Sequence, residues 1–413
     1  MAHWITLNEA TRQLGVRAQT VYAYVSRGRI AVVPDPHDPR KSLYRAEDVA
    51  GLSKRKQVGR KRETLAVGTI FGAEPCIYTG ITTFARGQLF YRGWQAVQLS
   101  ATATLEEVAA LLWNATGGPV VFGTQDRPAE GAGCDRGRAF ATLARLAAHG
   151  HSTAGRTDAA LHAEAGSLVD LLAQAFGAEP GPTGAPLHLR LAAGWSQSAA
   201  VADLLRQALV LLADHEITSS AFSARITAST GASLPACLLT GLSTFSGPLH
   251  GDASMRVAAL FDDVVRLGAE RVAAHHLRAA IPIPGFGHHL YPDGDPRAAA
   301  LMARLDPPRE IARFIERIVR LTGLRPTIDV ALAALVAQHT LPADAAFALF
   351  ATGRCVGLLA HCIEQLQVGM VIRPRGRYTG PALDLDPPPP AEATSTPDPL
   401  TLDKNRIFKA PTT

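Results

Sequence analysis

Residues 346–366, Ala346-Phe347-Ala348-Leu349-Phe350-Ala351-Thr352-Gly353-Arg354-Cys355-Val356-Gly357-Leu358-Leu359-Ala360-His361-Cys362-Ile363-Glu364-Gln365-Leu366, carry apolar side chains at helical spacing along their whole length. Residues 105–112 and 201–212 repeat the pattern, alternating runs are few, and no fixed-period repeat is present. The body of the chain therefore reads as all-α. Residues 123–137 and 176–186 are rich in Gly and Pro and read as loops between helices.

The chain has 413 residues, 47% hydrophobic and 19% charged, which is a globular composition and excludes disorder throughout. No run of ~18 consecutive apolar residues occurs, and the first residues include Asn8, Glu9, Arg12, Gln13 and Arg17 where a secretory leader needs an apolar core. A cytoplasmic location is expected. Cys76, Cys134, Cys237, Cys355 and Cys362 are odd in number, scattered and without a CxxC pair, so neither a disulfide framework nor a metal site is indicated and reduced thiols are expected. Residues 1–62 hold 13 Lys/Arg against 5 Asp/Glu, a local charge of +8, while the whole chain carries only +5. All of the basic excess is N-terminal, which points to a separate module with a polyanionic partner.

Within that module, Thr6-Leu7-Asn8-Glu9 fits a capping box opening a helix with Leu7, Ala10 and Leu14 on one face, ended by Gly15. A second helix over residues 18–26 turns Val21, Tyr24 and Val25 inward, with Gly28 as its cap. Residues 30–44 suit a β wing, and Glu47 and Asp48 suit the start of a short third helix. The order of elements over residues 4–53 resembles the winged helix-turn-helix of the MerR and excisionase type. That resemblance implies duplex DNA as partner, with Arg17, Gln19, Thr20 and Tyr22 facing the major groove and Arg27, Arg29, Arg40 and Lys41 on phosphates. The expected divisions are a module over 1–55, a basic linker over 56–64, and a disordered tail over 383–413 that contains four consecutive prolines, Pro387 to Pro390.

Four signatures lie in order in the body: Ala213-Asp214-His215-Glu216; Gly247-Pro248-Leu249-His250-Gly251; Pro284-Gly285-Phe286-Gly287-His288 with Asp295-Pro296-Arg297; and Arg373-Pro374-Arg375. Leu89-Phe90-Tyr91-Arg92-Gly93, Ala228-Ser229-Thr230-Gly231, and Arg354 ahead of Ala360-His361-Cys362-Ile363-Glu364-Gln365 support them. Together they resemble citrate synthase over residues 65–382. The resemblance implies a large helical domain over 65–220 and 330–382, a small one over 221–329, and a homodimer with shared sites. It implies condensation of acetyl-CoA, as co-substrate, with oxaloacetate, without metal or other cofactor. The rivals are a 2-methylcitrate synthase using propionyl-CoA and a metabolite-sensing transcription regulator.

The chemistry needs a base, a neutral hydrogen-bond donor and an acid. By resemblance Asp329 is the base, and an isolated carboxylate in its apolar run would have a raised pKa. His250, ahead of the helical stretch 252–265, would be kept neutral by the helix end and donate to the enol oxygen. His288 would polarise and protonate the oxaloacetate carbonyl, and Gly285 and Gly287 beside Ile283 and Pro284 would let pantetheine approach the backbone. Arg297, Arg354 and, from the other subunit, Arg373 would hold carboxylates, with His215 as a further substrate ligand. His149, His151, His275, His276 and His289 have no motif support and read as surface or satisfied histidines. Thr218 stands where many relatives have Asn, and Val330-Ala331-Leu332-Ala333 where they have Phe-Tyr-Ser-Gly. His289 and Pro292 remove two cations after His288, and Asp252 adds a negative charge beside the thioester loop, so weaker CoA binding is expected.

Overall fold

The structure is a computed structural model that describes residues 3–14, 16, 18–26, 30–35, 38, 41–50, 77–116, 120–123, 133–181 and 184–374. Arg17, Gly28, Arg27, Arg29, Arg40, the expected linker, Cys76, most of the 123–137 loop and the expected disordered tail lie outside those residues.

The N-terminal residues form their own small core of Ile5, Ala10, Leu14, Val21, Ile30, Tyr44 and Val49. Helices Leu7–Leu14 and Ala18–Ser26 match the spacing of their apolar residues. Thr6 and Glu9 cap the first reciprocally: the Thr6 N–H donates to Glu9 Oε2 at 2.8 Å and the Glu9 N–H to Thr6 Oγ1 at 3.4 Å. Strands Val32–Pro34 and Ser42–Arg45 pair antiparallel, and residues 46–50 are helical. A strand not anticipated from the sequence, Trp4–Ile5, pairs with Ser42–Arg45 and makes that strand central. Two residues are too short to show an alternating pattern.

The body is built on helix Ala345–Val368, in which residues 345–363 are buried without a break. It is long and apolar enough to cross a bilayer, but here it is the core helix of a globular body, its most apolar 18 residues buried by its neighbours. Helices Ala199–Leu212, Ser219–Ser229, Leu234–Phe245 and Asp158–Ala175 pack around it. Gly353 and Gly357 permit the closest of these contacts. A Cβ on Gly357 would stand 2.3 Å from the Ala213 carbonyl and 2.4 Å from Asp214 Oδ1, and one on Gly353 would stand 2.8 Å from the Leu209 carbonyl. In return the Gly357 N–H and Arg354 Nε donate to the carbonyls of Ala213 and Leu212, both at 3.0 Å.

Two expectations are corrected. The body is not purely helical: Thr82–Ala85, Gln88–Tyr91 and Trp94–Gln95 form an antiparallel sheet. Its two-residue turns are Arg86-Gly87 and Arg92-Gly93, with φ of 52° and 70°, and 45° and 88°. Positive φ at both positions gives the turn whose twist suits a hairpin, and Leu89 and Tyr91 are buried on one face. Residues 221–245, assigned from the sequence to the smaller body, pack in the first core, where Gly241 lets their helices approach Leu358 and Ala224.

A second core draws on Val257, Phe261, Val264, Val272, Ile311, Phe314 and Ile318. Helix Ile328–His339 belongs to both: Ile328, Ala331, Leu332 and Leu335 face the first core, and Val330, Ala333 and Ala334 the second.

Replacing Gly357 with Ala is expected to destabilise the fold by about 1–3 kcal/mol, because the new methyl has no room between two backbones. Urea unfolding read by circular dichroism measures it, and an unchanged midpoint would contradict the contact.

Candidate active site

His215 lies in the turn that follows helix Ala199–Leu212 and is buried. The turn needs a positive φ of 63° at Glu216, a non-glycine residue. Asp214 supports it by accepting the Glu216 N–H at 3.1 Å and the hydroxyl of Thr82 from the hairpin. Burial alone would raise the Asp214 pKa, but His361, 3.3 Å away, and Arg354 hold it below the ordinary carboxylate value.

His250 sits in the turn between helices Leu234–Phe245 and Ala253–Leu267, its ring edge-on to Phe245 at 5.2 Å. Gly251 is obligatory here, since a Cβ would fall 2.1 Å from the Phe245 ring. His250 Nε2 lies 2.8 Å from Ser220 Oγ. The expected neutrality of His250 has a different cause from the helix end: burial, then the nearby Arg354 charge, push its pKa down to about 4.

His288 is carried by a loop with φ of 81° at both Gly285 and Gly287. The loop is pinned to the segment before Asp329: the Gly287 N–H donates to the Arg325 carbonyl and the Thr327 N–H to the Gly285 carbonyl, each at 2.8 Å. His288 Nδ1 accepts the Leu290 N–H at 3.1 Å. Burial and then Arg297 push its pKa down to about 4. A neutral ring that accepts at Nδ1 carries its proton on Nε2, so it is a donor there. The rings of His215 and His288 stand 5.6 Å apart, and His215 Nε2 is 3.0 Å from the Tyr291 hydroxyl.

Asp329 occupies the first turn of the helix shared by both cores. Burial raises its pKa, against the hydrogen bond from Thr327 Oγ1 to Oδ2 at 3.0 Å. Its Oδ1 is buried without a hydrogen-bond partner. Arg297 and Arg354 are each 2% exposed. Asp295 grips Arg297 through Nε at 3.0 Å and Nη2 at 2.8 Å and also accepts the Ile328 N–H at 3.0 Å. One carboxylate therefore aligns the cation and the helix bearing Asp329. Arg354 has no carboxylate pair among the described residues; Phe350 lies 5.2 Å beneath its guanidinium, and its Nη2 is buried without a partner.

Arg373 is exposed and joins none of these groups within its own chain among the described residues. Ile283 and Pro284 are half-buried ahead of the glycine loop. In the N-terminal module Gln19 and Tyr22 are exposed, Thr20 is half-buried, and Lys41 pairs with Asp38 at 3.2 Å. The extra negative charge expected at Asp252 is compensated, because Arg136 Nη1 meets Asp252 Oδ1 at 2.7 Å. His149, His151 and His275 are exposed and His276 is half-buried, but His289 stacks on His288 at 4.9 Å and 11° and belongs beside the site. Sequence reasoning also missed roles for Ser220 and Tyr291; their closeness to Asp214-His215-Glu216 and to His288 was the only signal.

His215, His250 and His288 are all held neutral, whereas in the unfolded chain they protonate near 6.5. Between the two values the unfolded state binds more protons, so stability is expected to fall as pH drops from about 6.5 towards about 4. Asp329 and Glu106, whose pKa values burial raises, oppose this. Melting temperature measured against pH should show that slope, and His250→Asn or His288→Asn should flatten it; an equal slope in both variants would contradict neutral burial.

Residues 138–375 match the family model described as citrate synthase, C-terminal domain. The chain is 37% identical over 185 residues to a protein named putative citrate synthase 2 from Mycobacterium tuberculosis, covering 42% of this chain and 50% of that one. It is 35% identical over 198 residues to the citrate synthase of Haloferax volcanii, covering 45% and 52%. It thus spans about half the length of these curated relatives. The fold resembles citrate synthase from Thermotoga maritima, with a TM-score of 0.60, 24% identity, and coverage of 76% of this chain and 96% of that one. It also resembles the Thermoplasma acidophilum citrate synthase solved as a ternary complex with carboxymethyl coenzyme A and oxaloacetate, with a TM-score of 0.63, 20% identity, and coverage of 78% and 98%. The matched segment takes in more than half of the residues and includes His215, His250, His288, Arg297, Asp329 and Arg354, and the chain belongs to the citrate synthase family.

Proposed function

We propose that the chain is a cytoplasmic, homodimeric enzyme that condenses acetyl-CoA with oxaloacetate to give citrate and CoA. The observation that carries this is the pairing of opposite needs in one site. Arg354 holds a buried guanidinium nitrogen without a partner, and Asp329 a buried carboxylate oxygen without one. The first suits a substrate carboxylate and the second a substrate proton.

In this reading Arg297 and Arg354, with Arg373 of the second subunit, hold the oxaloacetate carboxylates, and His215 adds a hydrogen bond. Asp329 removes a proton from the acyl methyl group while His250 donates to the thioester oxygen and stabilises the enol. The enol carbon attacks the ketone carbon, and His288 Nε2–H gives its proton to the ketone oxygen as it becomes a hydroxyl. Water then cleaves the thioester, releasing citrate and the CoA thiol. Ile283, Pro284, Gly285 and Gly287 form the backbone edge along which pantetheine lies. Propionyl-CoA, giving 2-methylcitrate, needs the same groups and one more methylene, a difference of about 1–3 kcal/mol in a pocket.

Asp329→Asn or His250→Ala is expected to lower turnover by roughly 100-fold to 10,000-fold, the range for a lost general acid or base. CoA release would be followed with acetyl-CoA and with propionyl-CoA in the presence of oxaloacetate. Near-native turnover in a folded variant would remove that residue from its role. Mixed dimers of Arg373→Ala and Asp329→Asn should recover activity if Arg373 crosses between subunits, and none after verified exchange would place it elsewhere.

For residues 1–55 we propose duplex DNA binding through a winged helix-turn-helix. The +8 charge of residues 1–62 and the outward placement of Gln19 and Tyr22 support it. Phosphate contacts release counterions, so affinity should fall with salt at a log-log slope of about −0.9 per neutralised phosphate. Fluorescence anisotropy with DNA from upstream of the protein's own gene and with random DNA, at two salt concentrations, tests this. Absence of binding to either at low salt would reassign the module to protein contacts.

A further inference from the structure

Arg136 opens helix Arg136–His149, where a cation faces the positive end of the helix dipole and gains nothing from it. Asp252 is the N-cap of helix Ala253–Leu267, yet its side chain makes no capping bond, whereas Asp135 caps its own helix by accepting the Arg138 N–H. Each of the two side chains is turned to the other instead: Arg136 Nη1 donates to Asp252 Oδ1 at 2.7 Å. The second arm of the same guanidinium, Nη2, donates to the Ser246 carbonyl at 3.3 Å.

Ser246 and Asp252 are the two ends of the turn that carries His250. Within it the Gly251 N–H donates to the Phe245 carbonyl at 2.8 Å and the His250 N–H to the Gly247 carbonyl at 2.9 Å. Those bonds are local and give the turn its shape. Arg136, 116 positions before Asp252, anchors it to a helix from elsewhere in the chain. The anchor falls where the chain changes bodies: Phe245 is buried in the first core, and the next hydrophobic residue buried after it, Val257, lies in the second.

An ion pair between freely moving side chains contributes little, but this guanidinium is held flat. It lies 4.1 Å over the ring of Phe347, which is fully buried in the central helix. Phe347 also meets Phe245 at 5.6 Å, and Phe245 is the ring that His250 abuts. One buried ring therefore backs both the cation that closes the turn and the aromatic wall of His250.

We propose that Arg136 is a positioning residue for His250: by joining Ser246 to Asp252 it fixes the turn, and with it the imidazole, against the first core. The consequence for catalysis rests on the reading of His250 as the donor to the enol oxygen; the placement of the ring does not. A displacement of about 1 Å at a reacting group costs up to about a hundredfold in rate.

The test uses the full-length protein. Arg136→Met keeps much of the side chain's length and removes both donors, and Asp252→Asn keeps the shape and removes the charge. In protein labelled with 15N-histidine, the His250 ring signal, assigned by its loss in His250→Gln, should move in both variants. Arg136→Lys keeps the charge but cannot hold both ends of the turn at once, so it should move the signal as well, which separates the clasp from a change of local field. With acetyl-CoA and oxaloacetate, Arg136→Met should lower kcat about ten- to a hundredfold with the oxaloacetate KM unchanged, since Arg297 and Arg354 are untouched. The double variant Arg136→Met with Asp252→Asn should be no slower than Arg136→Met alone, as for two members of one contact. In a His250→Asn background Arg136→Met should leave the residual turnover unchanged. A His250 signal that stays in place in Arg136→Lys, additive losses from the two partners, or a kcat loss that persists in full without His250 would overturn the proposal. A moved signal with wild-type kcat would uphold the positioning and remove His250 from the donor role.

Discussion

Arg297 and Arg354, two of the guanidinium groups buried in a largely apolar body, have among the described residues one ion-pair carboxylate between them, Asp295, and set the conditions for the whole site. Arg297 is gripped by Asp295, and although burial works against its charge, that pairing raises its pKa. Arg354 leans on a carbonyl and the face of Phe350, and burial pulls its pKa below the ordinary value. Buried charge without full compensation is costly. Its neighbours respond: His215, His250 and His288 are driven neutral by burial and then by these arginines. The result is buried guanidinium charge set among uncharged imidazoles.

The position of Asp329 depends on how the two cores share a helix. Residues of helix Ile328–His339 alternate between them, and Asp295 secures its first N–H. The loop carrying His288 is laced to the segment just before that helix by two backbone hydrogen bonds. Asp329 and His288 are thereby set by the same few contacts. The opposite wall is set by Gly353 and Gly357, which bring the central helix against the turn bearing Asp214 and His215.

Much of this was legible in the sequence where the information is local. The bounds of helices Leu105–Leu112 and Ala18–Ser26 and the capping box at Thr6 followed from spacing and from residues three positions apart. The hairpin over residues 82–95 escaped because its strands are short and their twist is fixed by two left-handed turns rather than by composition. The Asp252 charge was visible, but its neutraliser, Arg136, lies far away in the chain.

The sequence by itself determined the helical body, the basic N-terminal module and the chemical types of the site's residues, because periodicity, charge and motif order are properties of neighbours along the chain. Only the tertiary structure decided that residues 221–245 belong to the first core, that burial and Arg354 rather than a helix end keep His250 neutral, and that Asp295 aligns Arg297 with the helix of Asp329. Those outcomes turn on desolvation and on hydrogen bonds between segments brought together by packing, and neither quantity exists until the chain has folded.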